Sequence, residues 1–146
     1  MPTRMFDAID RVIAMLKDAG ANVVDSVEVV GDTLDFVLVG YDGEPDGDRI
    51  AIQGGQDWAS IGSKKRDEQF GIICAVASRY SADSPKTARG RVKDQFTLVE
   101  NTILADPSLS LPGQVEYCVA DVQPVNLFAE DGWSRLTFVI RVKTRI

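Results

Sequence analysis

The stretch DEQFGIICAVASRY, residues 67–80, decides the fold. Side chains alternate across an extended chain, so Phe70, Ile72, Cys74 and Val76 fill one face. Ile73, Ala75 and Ala77 make the other face small and apolar. A strand that is apolar on both sides is central in its sheet, with a helix over at least one face. The rest of the chain is therefore read for strands to flank it and helices to cover it.

Downstream, Ser84-Pro85 opens a helix, with serine as a good N-cap and proline suited to the first helical position. Ala88, Val92, Phe96, Val99 and Ile103 recur at helical spacing, while Arg89, Arg91, Lys93, Asp94 and Glu100 lie mostly off that stripe. Asp106-Pro107 ends the helix, and Leu109 to Gly113 is a loop. Gln114 to Val122 alternates Val115, Tyr117 and Val119 against Glu116, Cys118 and Ala120. Pro124 breaks or bends that strand, and Asp131-Gly132 marks a turn. From Trp133 to Arg145 the alternation is cleanest. Leu136, Phe138, Ile140 and Val142 face in, and Arg135, Thr137, Val139, Arg141 and Lys143 face out.

Upstream, Thr3 to Ala19 is an amphipathic helix with Met5, Ile9, Val12 and Leu16 on one stripe. Thr3 caps its start and Gly20 closes its end. Strands follow at Ala21–Val30 and Leu34–Val39, the second apolar except at Asp35. Gly31-Asp32 between them suggests a hairpin. Tyr41 to Asp48 is an acidic loop. Arg49–Gln53 is a short strand, ended by a turn at Gly54-Gly55. The sum is a single α+β domain over residues 1–146. Its sheet is antiparallel or mixed, of about five to six strands, with two main helices packed on it.

Composition sets the outer bounds. With 146 residues, 45% apolar and 26% charged, the chain is an ordinary globular domain. It is long enough to bury roughly two-thirds of its unfolded surface without a disulfide or metal. The N-terminus lacks the basic flank and apolar core of a signal peptide, and no run approaches the roughly 20 apolar residues of a membrane span. The expectation is a chain made in the cytosol, with no membrane partner, unless it leaves inside a larger particle. Cys74 and Cys118 read as reduced, buried thiols that could face each other on neighbouring strands.

Charge is uneven along the chain. The net value is −6. Residues 1–60 hold 12 acids and 4 bases, and residues 61–146 hold 10 acids and 12 bases. The acidic total argues against general nucleic-acid binding, which needs a basic footprint. The asymmetry permits a head-to-tail contact in which an acidic surface of one copy meets a basic surface of the next.

The residue inventory excludes much chemistry. The chain has no histidine. A Ser-His-Asp or Cys-His pair is therefore impossible, as is a histidine metal site. Two separated cysteines do not make a zinc site, and no phosphate-loop motif occurs. The segment 42–48 (DGEPDGD) resembles the start of a calcium loop, but its twelfth position is Gln53 rather than a bidentate glutamate, and Pro45 interrupts it. Asp67 and Glu68 are adjacent on a strand and point to opposite faces, so they do not converge on a substrate. No catalytic residue, cofactor or metal is expected. The surface candidates are the tryptophans and bases that lie near loops or face outward. They are Trp58, Lys64, Lys65, Arg66, Trp133, Arg135, Arg141 and Lys143, with Arg145 beyond them. For the last strand, an edge protected by charge is the structural alternative to an interface.

Several local stretches, taken with the order of elements, point to a family. An N-terminal amphipathic helix leads into a Val-rich hairpin. Gln56-Asp57-Trp58 precedes Arg66-Asp67-Glu68-Gln69-Phe70 and the long strand. The Ala88-Arg89 helix has Val99-Glu100 near its end, followed by Leu104-Ala105-Asp106-Pro107-Ser108-Leu109 and a strand-rich C-terminus. Over nearly its full length the chain resembles the tail terminator family of long-tailed bacteriophages. The resemblance implies a non-enzymatic virion protein of the tail-neck junction, assembled in the host cytoplasm. Members form rings, typically hexameric, that cap the tail tube protein, stop its growth and meet head-closure or connector proteins. DNA is met only as it passes through the ring. The alternatives are another neck or minor tail protein, or a cellular α+β protein-binding module.

Overall fold

The computed structural model describes residues 3–25, 35–41, 50–58, 66–79, 85–109, 117–130 and 133–145, with the side chains of 56–58, 66, 117 and 130 outside that description. Eight elements follow in chain order: α1 (Met5–Asp18), β1 (Val23–Asp25), β2 (Asp35–Val39), β3 (Ile52–Trp58), β4 (Arg66–Arg79), α2 (Pro85–Ala105), β5 (Tyr117–Glu130) and β6 (Trp133–Arg145). The strands form one mixed sheet in the order β1-β2-β4-β6-β5, and β3 also pairs with β4. The α+β architecture read from the sequence is the one observed.

Strand β4 is the organiser because it is long enough for three partners. Its C-terminal half pairs with β2 (Asp35↔Ser78 to Val39↔Cys74), and its N-terminal half pairs with β3 (Ile52↔Ile72 to Trp58↔Arg66). Along its other side it pairs with β6 over its whole length from Asp67. Phe70, Ile72, Cys74 and Val76 enter the main core with Phe138, Ile140 and Val142 of β6. Both helices pack there. α1 contributes Ala8, Val12, Met15 and Leu16, and α2 contributes Val92, Val99 and Ile103. α1 lies over β1 and β2, whereas α2 lies over β4, β6 and β5. On the opposite face Val24, Phe36, Leu38, Ala75 and Ala77 form a smaller apolar cluster, flanked by Tyr41 and Trp133.

Helix α1 closes as its sequence predicts. Gly20 takes φ 91°, its N–H donates to the Lys17 carbonyl, and the Ala21 N–H donates to the Leu16 carbonyl. This paired closure satisfies carbonyls that the helix end leaves without partners. The start differs from the expected Thr3 cap. Thr3 Oγ1 accepts only a 3.2 Å contact from the Met5 N–H, and it donates to Glu68 Oε2 at 2.5 Å. The other carboxylate oxygen of Glu68 accepts the Arg4 N–H at 2.8 Å. A buried carboxylate on β4 thus does the capping, where the positive end of the helix dipole favours it.

Three other local readings change, and the bend expected at Pro124 is found. Residues Val23–Asp25 pair with Val37–Val39 in parallel, so the described parts of the first two strands do not form a hairpin. The Gly31-Asp32 turn lies outside the described residues. The Gly54-Gly55 pair does not end a strand but lies inside β3, opposite Phe70 and Gln69. A Cβ at Gly54 would meet Phe70 Cα at 2.5 Å and the Gln69 carbonyl. Glycine is there because the two backbones approach closely, not because the chain turns. Strand β5 continues past Pro124 with an irregularity between Pro124 and Asn126. Proline is tolerated because β5 pairs, among the described residues, only with β6 and is an edge. Finally, β6 is not an edge strand. It lies between β4 and β5, so its charges do not serve to protect an edge.

Candidate functional site

The helix-free face of the sheet carries the outward-facing positions of β6. From one end to the other these are Arg135, Thr137, Val139, Arg141, Lys143 and Arg145. Their register partners on β4 are Ala77, Ala75, Ile73, Gly71, Gln69 and Asp67. The row changes character along its length. Arg135 is buried at 4% exposure, with its guanidinium 4.2 Å from the centroid of the Phe128 ring. Arg141 and Lys143 are exposed, and Arg141 Nε donates to Gln123 Oε1 at 2.8 Å. Arg145 makes a two-pronged pair with Asp67 at 2.7 and 3.0 Å. That hydrogen bonding holds the Asp67 carboxyl below its ordinary pKa of 3.8, against slight desolvation and with the guanidinium charge assisting.

Two recesses open along this row. One, of about 280 Å³, is lined by Ile73, Val125, Asn126, Phe128, Thr137 and Val139 together with Arg135. The other, of about 770 Å³, brings Gln53, Gln69, Arg141 and Lys143 of this face together with Leu104 and Pro107 of the helix layer and with Phe70, Ala120 and Val142, which face the helices. The second is broad and mixed in character, a shape suited to a protein surface rather than to a buried small molecule.

The remaining surface candidates are dispersed. Trp58 ends β3 in register with Arg66, which opens β4. Lys64 and Lys65 lie outside the described residues, as does the acidic segment 42–48. Trp133 opens β6 and is half-buried. Its ring stands edge-on to Phe36 at 5.3 Å, and the Arg79 guanidinium lies 4.5 Å from its centroid. The fold thus brings Arg141, Lys143 and Arg145 into one row and engages Trp133 and Arg135 in internal packing.

Polar groups that could have formed a reactive cluster hold elements together instead. Arg91 of α2 donates from Nε to Ser78 Oγ at 2.8 Å and to Asp35 Oδ1 at 3.1 Å, and from Nη2 to the Arg79 carbonyl. Ser78 Oγ also donates to Asp35 Oδ1. This cluster ties α2 to paired positions on β2 and β4. Sequence reading missed it, although Asp35 was legible as the one polar residue in an apolar strand. Glu68 faces the helices and Asp67 the open face, so the two carboxylates do diverge.

The cysteines occupy β4 and β5 with β6 between them, so they are not on neighbouring strands. Burial pushes the Cys74 thiol up to about 12, with the Gly40 backbone pulling the other way. Burial, aided by the Asp106 charge, pushes Cys118 up to about 11. Such thiols are poor nucleophiles near neutral pH. Among the described residues no group of three or more acidic or cysteine side chains could hold a metal, and no helix is long and apolar enough to cross a membrane. No family model and no curated protein matches the chain.

Charge and apolar exposure are sorted across the sheet. α1, β1, β2 and β3, on one side of β4, carry six acids and two bases, a net of −4. On the other side the interior strand β6 carries four bases and the edge strand β5 two acids, a net of +2, while β4 itself is neutral and α2, with four bases and two acids, lies across β2, β4, β6 and β5. Among the described residues the exposed large apolar side chains are Phe6, Ile50, Leu104, Val119, Val125 and Leu127. None of them lies on a strand in the middle of the sheet. Phe6 and Ile50 belong to the α1–β3 side, and the other four to the C-terminal end of α2 and the edge strand β5.

Proposed function

We propose that this chain is a structural virion protein, the ring subunit that caps the tail tube of a long-tailed phage. In that role it ends tail polymerisation and joins the tail to head-closure or connector proteins. The supporting observation is the one-sided layering. Both helices cover one face of the sheet, and Arg141 and Lys143 stand exposed on the other. A surface of this kind suits contact with large partners. The carboxylates Asp35, Asp67 and Glu68 and the cation Arg91 are already engaged in holding strands and helices together. Resemblance over nearly the whole chain names the partners: a second copy of the chain, the tail tube protein and the head-closure protein.

Light scattering after size exclusion, with the protein alone and then mixed with purified tail tubes, tests this reading. The expected result is a hexamer, or a monomer that adds one terminal ring seen by electron microscopy. A chain that neither forms rings nor caps tubes overturns it and shifts the assignment to another neck protein or a cellular binding module.

A further inference from the structure

We infer that the N-terminal half of α2 is a contact surface for the phosphate backbone of nucleic acid, carried by Lys86, Arg89 and Lys93 beside Gly90. The surface belongs to the helix layer, apart from Arg141 and Lys143 on the open face, and the inference stands without the ring reading.

The two helices treat their own dipoles in opposite ways. α1 has an acid in its first turn (Asp7) and a base in its last (Lys17), the arrangement that a helix dipole favours. α2 has no acid in its first turn and no base in its last. Its bases, Lys86, Arg89, Arg91 and Lys93, all fall in its first half, and Lys86 stands in the first turn, where the dipole repels a cation. Arg91 is engaged by Asp35, Ser78 and the Arg79 carbonyl. The other three are exposed, and among the described residues no acid pairs with them. Lys86 and Arg89 are three places apart, and Arg89 and Lys93 four, so within the helix each faces a like charge and none faces an acid. Such spacing destabilises a helix. These bases therefore do not serve the fold, and an anionic ligand is what would relieve them. A second observation lies on the same surface. Gly90 is exposed at mid-helix, where glycine costs stability relative to alanine. A Cβ there would meet nothing, so no packing within the chain requires glycine. Bare backbone between basic side chains admits the close approach of a ligand. The class of ligand follows from what the surface lacks. Protein interfaces are built round aromatic and apolar anchors. The exposed positions of α2 up to Thr97 carry no large apolar side chain, and Leu104 lies at the opposite end of the helix. Cations with threonines 87 and 97 beside them suit phosphate oxygens, which accept from lysine, arginine and hydroxyl groups. Asp94 next to Lys93 and the net charge of −6 oppose a polyanion, so the contact is weak, independent of base sequence and steep in salt.

Fluorescence anisotropy of a labelled mixed-sequence DNA duplex, titrated with the whole chain over a series of salt concentrations, tests the inference. Binding is expected at low salt, with the logarithm of the affinity falling against that of the salt concentration at a slope of about −3 for three phosphate contacts. Lys86→Gln, Arg89→Gln and Lys93→Gln should each reduce that slope by about one. Lys17→Gln makes the same change in net charge at the exposed end of α1 and should leave the slope in place. Gly90→Gln should melt at a higher temperature and bind several-fold more weakly, because the helix gains propensity while the approach to its backbone closes. All five positions are exposed, so each variant keeps the far-UV spectrum of wild type. Lys86→Gln should melt no lower than wild type, since it removes a cation from the positive end of the helix. The inference is overturned if the duplex does not bind at low salt, if Lys17→Gln weakens binding as much as Lys93→Gln, or if Gly90→Gln binds as wild type does. A lower melting temperature for Lys86→Gln also overturns it, because the base would then be serving the fold. Poly-glutamate that binds more tightly than the duplex at equal salt overturns it as well and assigns the surface to an acidic protein.

Discussion

The two faces of β4 and β6 are one residue apart in sequence and opposite in role. Ile72, Cys74, Phe138, Ile140 and Val142 lie under the helices and are at most 1% exposed. Next to them in sequence, Ile73, Val139, Arg141 and Lys143 lie on a face that no helix among the described residues covers. Period-two alternation separates the two jobs. The same pair of strands carries the stability of the domain on one side and its presentable surface on the other. Substitutions at neighbouring residues should therefore differ by far more than their distance along the chain suggests.

The largest effect is expected at Phe138, which is fully buried and packs edge-to-face on Phe96 at 5.3 Å. Phe138→Ala should lower unfolding free energy by about 3–5 kcal/mol through lost burial and the cavity left behind. The denaturant midpoint measures it, and a loss no greater than that of an exposed residue would break the comparison between faces. Gly54→Ala comes next. A methyl group there overlaps the Phe70 backbone, so β3 must shift away from β4 at a cost of about 1–3 kcal/mol. Amide exchange along β3 should accelerate by more than exchange in β6.

Glu68→Ala should cost about 1–2 kcal/mol, because the Arg4 N–H and the Thr3 hydroxyl lose their acceptor at the start of α1. Glu68→Gln should recover part of the loss, since one acceptor oxygen remains. A urea melt of the two variants checks this, and equal losses would mean that the carboxylate matters by packing alone. The smallest effect is expected on the open face at Asp67. Its folded pKa lies below 3.8, so its pairing with Arg145 stabilises the fold above that pH. The contribution is lost as the pH falls through the depressed folded value. The stability gap between wild type and Asp67→Asn should therefore be small near neutrality and close on acidification. A gap that widens with acid would contradict the pairing.

Much of the fold was legible because it depends on local pattern. The double-sided apolar run at 70–77 marked the centre of the sheet. The stripe from Ala88 to Ile103 marked the second helix, and the alternation from Trp133 to Arg145 marked the last strand. What failed was pairing. Val23 and Val37 carry no sign of whether their strands run parallel, and Gly54-Gly55 looks the same in a turn as in a close strand contact. The site was legible only in part for the same reason. Arg135, Arg141 and Lys143 share a face by alternation alone, but Phe128 buries the first and leaves the other two in solvent.

Sequence by itself determined the α+β class, the central strand, both helices and the lack of histidine chemistry, since each follows from composition or short-range periodicity. Tertiary structure alone decided that β6 is interior and that Glu68 caps a helix more than 60 residues away in sequence. These are long-range pairings, and the order of strands in a sheet is selected by how whole faces and edges fit, which no single stretch of sequence encodes.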